Sequence, residues 1–225
     1  MAQRSEADSD KADASPQDGA DAESLAVAEA LAAGSSPTNT SLEQYFEVLL
    51  QAASQPSQSQ QAARVIEAVA QVKPELLTPH IDVLVKQLSS QQTHVARCCA
   101  HALPVLARVA PAKVAKQLKV MQAALPDAPA IAKDGLVRTF VALCVASVTY
   151  QKRLIDSFEL ALRTAGPDQL PAWVEHILPA LKGEPYAQAR SVVEQRLPDP
   201  QLPREVAQHV ADFLGIKLRP LPDRK

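Results

Sequence analysis

PELLTPHIDVLVKQLSSQQTHVARCCAHALPVLARVA, residues 74–110, is the stretch that decides the fold. Leu77, Ile81, Leu84 and Leu88 recur at three- and four-residue steps, and so do Val95, Cys99, Ala102 and Leu106. Residues at that spacing share one side of a 3.6-residue turn, so each set marks the apolar face of an amphipathic helix. The polar run SSQQT separates the two. Helices joined by so short a break fold back as a hairpin, and the hairpin still exposes apolar surface at both ends of the pair. It needs neighbours of its own kind.

The flanking sequence supplies them as four further pairs: 41–54 with 58–72, 111–125 with 129–148, 149–165 with 167–183, and 185–197 with 202–215. In the first, Tyr45, Leu49 and Leu50 are expected to face Ala62, Val65, Ile66 and Val69. In the third, Val114, Leu118, Met121 and Leu125 repeat the first stripe of the opening pair 37 residues later. Leu136, Phe140 and Leu143 repeat Cys99, Leu103 and Leu106 at the same step, and Pro111 repeats Pro74. Coincidences at one spacing predict a repeat architecture. Thr40 or Ser41, followed by Glu43 or Gln44, reads as a capping box. Pro167 reads as a helix start, Gly183 and Gly215 as helix ends, and Pro179 as a bend. In the fourth pair Leu154, Ile155, Phe158 and Leu162 form the first stripe.

The 225 residues are 47% hydrophobic but only 4% aromatic, with 18 Pro and 6 Gly, which suits many short helices punctuated by proline rather than tight β-turns. Residues 1–40 hold two bases against eight acids, whereas residues 73–163 hold twelve bases against six acids. That unevenness is either an ordinary solvated surface or an electropositive middle that meets an acidic partner or the chain's own tail. Residues 1–22 lack large apolar groups and are expected to be disordered. Residues 23–33 are expected to form a short helix, transient or docked. Cys98, Cys99 and Cys144 are odd in number and lack metal spacing, so they read as core thiols. No apolar run spans a bilayer and no signal peptide is visible, which predicts a cytoplasmic protein, or a nuclear one if the source is eukaryotic.

The opening stretch resembles a HEAT repeat. Pro79, Ile81, Leu84 and Leu88 match that family's first helix; Val95, Arg97, Ala100 and Leu103 match its second. One residue, Ala96, separates Val95 from Arg97, and the usual turn Asp is absent from SSQQT. The resemblance covers roughly residues 41–215. It implies an all-α, right-handed α-solenoid of about five HEAT-like hairpins, preceded by a disordered acidic arm (1–40) and followed by a basic extended tail (216–225). Solenoids host unrelated functions, so it implies little about activity.

Catalytic and metal motifs are missing. His80, His94, His101, His176 and His209 form no His-Glu-x-x-His pattern, and no phosphate-cradling glycine loop exists. HEAT-like metal hydroxylases use paired His-Glu dipeptides, and this chain has only Glu175-His176 in reverse order. HEAT-like DNA glycosylases rely on Trp, Asp and Arg in a basic cleft, and the single Trp173 reads more simply as a core residue. Lys113, Lys116 and Lys119 line a helix face at three-residue steps, a candidate polyanion contact or the wet side of an outer helix. Second helices of a solenoid commonly line its concave face. Arg64, Glu67, His94, Arg97, His101, Lys133, Asp134 and Arg138 are therefore the candidate partner-binding residues, or, for Arg97 and Asp134, makers of internal ion pairs. The expectation is a non-catalytic adaptor or scaffold that binds another protein or peptide, with no cofactor, metal or membrane. The alternative is a nucleic-acid-binding protein with an electropositive central surface.

Overall fold

A computed structural model describes residues 16–35 and 40–218. Its elements are α1 (Pro16–Ala32), α2 (Leu42–Leu50), α3 (Pro56–Val72), a 3₁₀ helix (Pro74–His80) running into α4 (Ile81–Gln87), and α5 (Thr93–Val109). Then come α6 (Pro111–Ala115), α7 (Leu118–Ala124), α8 (Ala130–Ala146), α9 (Thr149–Thr164), α10 (Leu170–Ala180), α11 (Gly183–Arg196) and α12 (Arg204–Leu214). The fold is all-α, with no strand among the described residues.

Neighbouring helices fall into two series. In the front row α1 touches α3, α3 touches α5, and the contacts continue through α8 and α10 to α12. In the back row the 3₁₀ helix stacks His80 on Phe46 of α2, with ring centroids 4.1 Å apart. Lys113 Nζ reaches Thr78 Oγ1 at 3.1 Å, Gln122 Nε2 reaches Ser157 Oγ at 3.0 Å, and α9 packs on α11. One continuous core lies between the rows. The stripes that start from Leu77, Val95, Val114 and Leu136 are all buried, because each is the one apolar face its helix can offer.

α5 shows why small residues crowd the front row. It is flanked by α3 and α8 and backed by the 3₁₀ helix, α4 and α6, and it buries ten of its 17 residues. α8 comes closest at Gly135. A Cβ there would lie 2.5 Å from Ala100 Cα and 2.9 Å from Ala100 O. Ala100 O is also the carbonyl that loses its i+4 donor to the imino nitrogen of Pro104. The glycine backbone thus lies against the turn of α5 where Pro104 offers no amide to the Ala100 carbonyl.

Single polar side chains fasten the helix ends. Gln151 is buried and holds both sides of the α10–α11 connection: its Nε2 donates to Ala180 O (2.9 Å) and its Oε1 accepts from Lys182 N (3.1 Å). Arg196 of α11 donates to the last carbonyls of α9, at Leu162 and Arg163 (2.8 Å each) and Ala165 (3.1 Å). Ser41 and Gln44 complete the capping box of α2, and Gly215 ends α12 at φ 69 in the left-handed region.

Several expectations need correction. The arm expected to be disordered over residues 1–40, with a short helix at 23–33, is helical from Pro16 to Ala32. A proline at the first helical position costs no hydrogen bond, and the Ala-rich run that follows has high helix propensity. Ser24, Val27 and Ala28 are buried against α3, and Lys73 Nζ donates to Ala32 O at 2.8 Å. Residues 1–15 and 36–39 lie outside the described residues. So do 219–225 of the predicted tail, whose residues 216–218 are irregular. In α2 it is Phe46 that is buried with Leu49, while Leu50 is 51% exposed. The first helices of the second and third pairs are each broken. Gly183 opens α11 with φ 58 rather than closing the helix before it; α10 already stops at Ala180, one residue past Pro179.

Candidate functional site

The front-row helices α3, α5 and α8 have a common length of 17 residues and begin and end 37 residues apart. Arg64, His101 and Arg138 therefore occupy the same position in each. Arg64, Glu67, His94, Lys133 and Asp134 are half-buried, and Arg97, His101 and Arg138 are exposed.

Most of these side chains are already paired from helix to helix. Glu67 Oε1 lies 3.7 Å from both Arg97 Nε and His101 Nδ1. That oxygen is buried and accepts no hydrogen bond, with both nitrogens just beyond bonding distance. Asp134 accepts from the Trp173 indole N–H at 3.0 Å and lies 3.7 Å from Arg138. Arg64 turns to Asp21 of α1 at 3.9 Å, a residue sequence reasoning assigned to a free arm. His94 Nε2 meets Ser59 Oγ at 2.9 Å. Lys133 takes no part in these pairs. The same pattern reaches the end of the row, where His209 of α12 meets Glu175 of α10 at 2.7 Å. Glu175 and His209 are not among the partner-binding residues read from the sequence, because the 37-residue step does not carry into α10 and α12.

Trp173 is buried, with its ring in the core and its N–H on Asp134, so it offers no aromatic face to a ligand. Lys113, Lys116 and Lys119 are exposed, but they do not share one helix. Lys113 lies in α6, Lys116 in the turn after it and Lys119 in α7.

Reactive chemistry is poorly served here. Burial pushes the Cys98 thiol well above its ordinary range, helped by Cys99 and Glu67, while Arg97 acts the other way. Burial likewise pushes Cys99 and Cys144 up to about 12. A thiol attacks or ligates as thiolate, and these three are held neutral. Burial holds His94 below its usual range, with Arg97 adding to the effect; burial also lowers His80, against a smaller pull from Glu43. Among the described residues no three His, Cys, Asp or Glu side chains converge as metal ligands, and no helix is long and apolar enough to cross a membrane.

No family model matches the chain, and no curated protein matches it. Among solved structures it is similar to the crystal structure of an engineered protein from the Northeast Structural Genomics Consortium. The identity is 16%, the coverage 92% of each chain and the TM-score 0.58. That likeness concerns the fold alone.

Proposed function

We propose that the chain is a non-catalytic adaptor or scaffold: a right-handed, HEAT-like α-solenoid of five hairpins, extended at its N-terminal end by α1. Its front row is the concave face, and a protein or peptide binds there. The observation that carries this proposal is the set of polar pairs running from helix to helix, Arg97 and His101 to Glu67 and Trp173 to Asp134. A partly exposed ion pair such as Arg97–Glu67 stabilises a fold by only about 0–1 kcal/mol. What such pairs do is hold long side chains in one arrangement, so a partner loses less entropy when it meets them. A cytoplasmic setting belongs to the same proposal.

The test is capture of partners from native lysate by the wild-type chain and by a variant carrying Arg97→Glu and Arg138→Glu. Loss of a partner from the variant, with helical circular dichroism retained, supports the proposal. Retention of every partner refutes the front-row assignment.

The exposure of Lys113, Lys116 and Lys119 favours one second reading, a polyanion contact. It requires a labelled duplex to bind at low salt, weaken steeply as salt rises, and be released when the three lysines are replaced by alanine.

A further inference from the structure

The front-row helices run parallel. Ser59 and Glu67 of α3 meet His94 and His101 of α5, each pair in the same order along its helix. Lys73, just past α3, meets Ala32, the last residue of α1. Gln151, just past α8, meets Ala180, the last residue of α10. All front-row C-termini, and the connections that leave them, therefore lie along one edge of the molecule.

That edge has an unusual composition. Eight large apolar side chains are exposed among the described residues, and five of them are here: Val72 (39%), Val109 (42%), Val145 (72%), Val148 (64%) and Phe213 (45%). They sit in or beside the last turns of α3, α5, α8 and α12. A base accompanies four of the five: Lys73 follows Val72, Arg108 precedes Val109, Lys152 comes four residues after Val148, and Lys217 four after Phe213. Over the connecting segments 72–76, 108–113, 145–153, 181–184 and 215–218, seven bases face two acids, Glu75 and Glu184. The opposite edge, over 51–55, 88–92, 125–129, 165–169 and 197–203, has no base and three acids, Asp127, Asp168 and Asp199.

We propose that the edge formed by the front-row C-termini is a second binding surface, distinct from the polar face of the same row, and that its partner is an acidic amphipathic helix. Packed helices lie about 8–10 Å apart, so Val72, Val109 and Val145 recur at roughly that interval. On a partner helix, residues seven apart are separated by about 10.5 Å at a 1.5 Å rise. One apolar stripe can thus meet all three valines, while carboxylates on both flanks meet Lys73, Arg108, Lys152 and Arg153. On an extended strand, residues about 10 Å apart are three positions apart and point to opposite faces, so a strand does not set one apolar row against successive valines. The chain's own residues 1–15 are acidic but carry no large apolar group beyond Met1, so they lack half of the required chemistry. An anionic lipid surface, which the bases and Tyr150 would also meet, is the competing occupant and is set against the peptide in the test.

The test uses a fluorescent amphipathic peptide of about three heptads, with leucine at the first and fourth heptad positions and glutamate on the flanks. A lysine-flanked twin and vesicles of phosphatidylcholine with phosphatidylserine are run beside it. Expected are saturable anisotropy with the acidic peptide, affinity about tenfold or more weaker in Arg108→Glu/Val145→Glu, and little change in Arg97→Glu/Arg138→Glu. An alanine set at Arg108, Lys152 and Arg153 gives the same ordering should the charge-reversed variant misfold. Failure of the acidic peptide to bind, equal binding of the lysine twin, insensitivity to the edge variants, or binding of vesicles instead of the peptide each overturns the proposal.

Discussion

Over the second and third pairs the front and back rows are made from the same kind of sequence and differ in continuity. α3, α5 and α8 each run 17 residues without a break. Their back-row partners are split, the second pair into a 3₁₀ helix and α4, the third into α6 and α7. A proline accounts for only one of these breaks. Pro79 lies inside the 3₁₀ segment, but the break after α6 falls at Lys116 and Gln117, where neither proline nor glycine occurs. Lys116 stands 37 residues after Pro79. There the amides of Lys116 and Gln117 bond three residues back, to Lys113 O (3.3 Å) and Val114 O (2.9 Å). The interruption therefore belongs to a place in the packing, and proline is tolerated at that place rather than needed for it. The front row, enclosed by neighbours on both sides, has no such freedom.

The sharpest way to break this contrast is to overfill the front row. Gly135→Ala puts a methyl group on the Ala100 backbone, which cannot rotate away, and is expected to cost about 3 kcal/mol or more in urea denaturation. A cost under about 1 kcal/mol would show that α5 and α8 slide apart easily. Next in size is Gln151→Ala in the back row. It strips partners from Ala180 O and Lys182 N and is expected to cost about 2–3 kcal/mol, with faster amide exchange at Lys182.

Acid probes both rows together. Burial lowers His80 in the back row and His94 in the front, so in the range just below about 6.5 the unfolded chain binds protons that the folded chain resists. Their contribution is complete above that range and is lost as pH falls through it. The melting temperature is expected to drop from pH 7.5 to 5.5, and less so in His80→Phe/His94→Gln; a rise on acidification contradicts the sign. The smallest effect is expected from Pro79→Ala. If packing sets the break, helix content by circular dichroism stays the same and stability moves by no more than about 0.5 kcal/mol.

Much of this was legible beforehand. The stripes from Leu77 to Leu143 are buried as their spacing requires, since burial is what makes a helical period visible in a sequence at all. What escaped notice depended on contacts between helices. α1 looked like a loose arm because its docking side is Ser24, Val27 and Ala28, small groups that produce no apolar stripe yet let two backbones approach. The candidate residues lie on α3, α5 and α8, but the partners Asp21, Ser59 and Trp173 of Arg64, His94 and Asp134 stand 35 to 43 residues away along the chain, where no local rule connects them.

The shared boundaries of α3, α5 and α8 make the molecule's length adjustable in whole units. Excising residues 74–110 would bring α3 against α8 in the register α5 now holds, and Gly135 would find Ala63 where it now finds Ala100. A copy of that segment inserted in tandem would instead set Cys98, 37 residues before Gly135, against Ala100, where a Cβ has no room. A shorter descendant thus lies one deletion away with its new seam already tailored, whereas a longer one also needs a glycine at the position of Cys98.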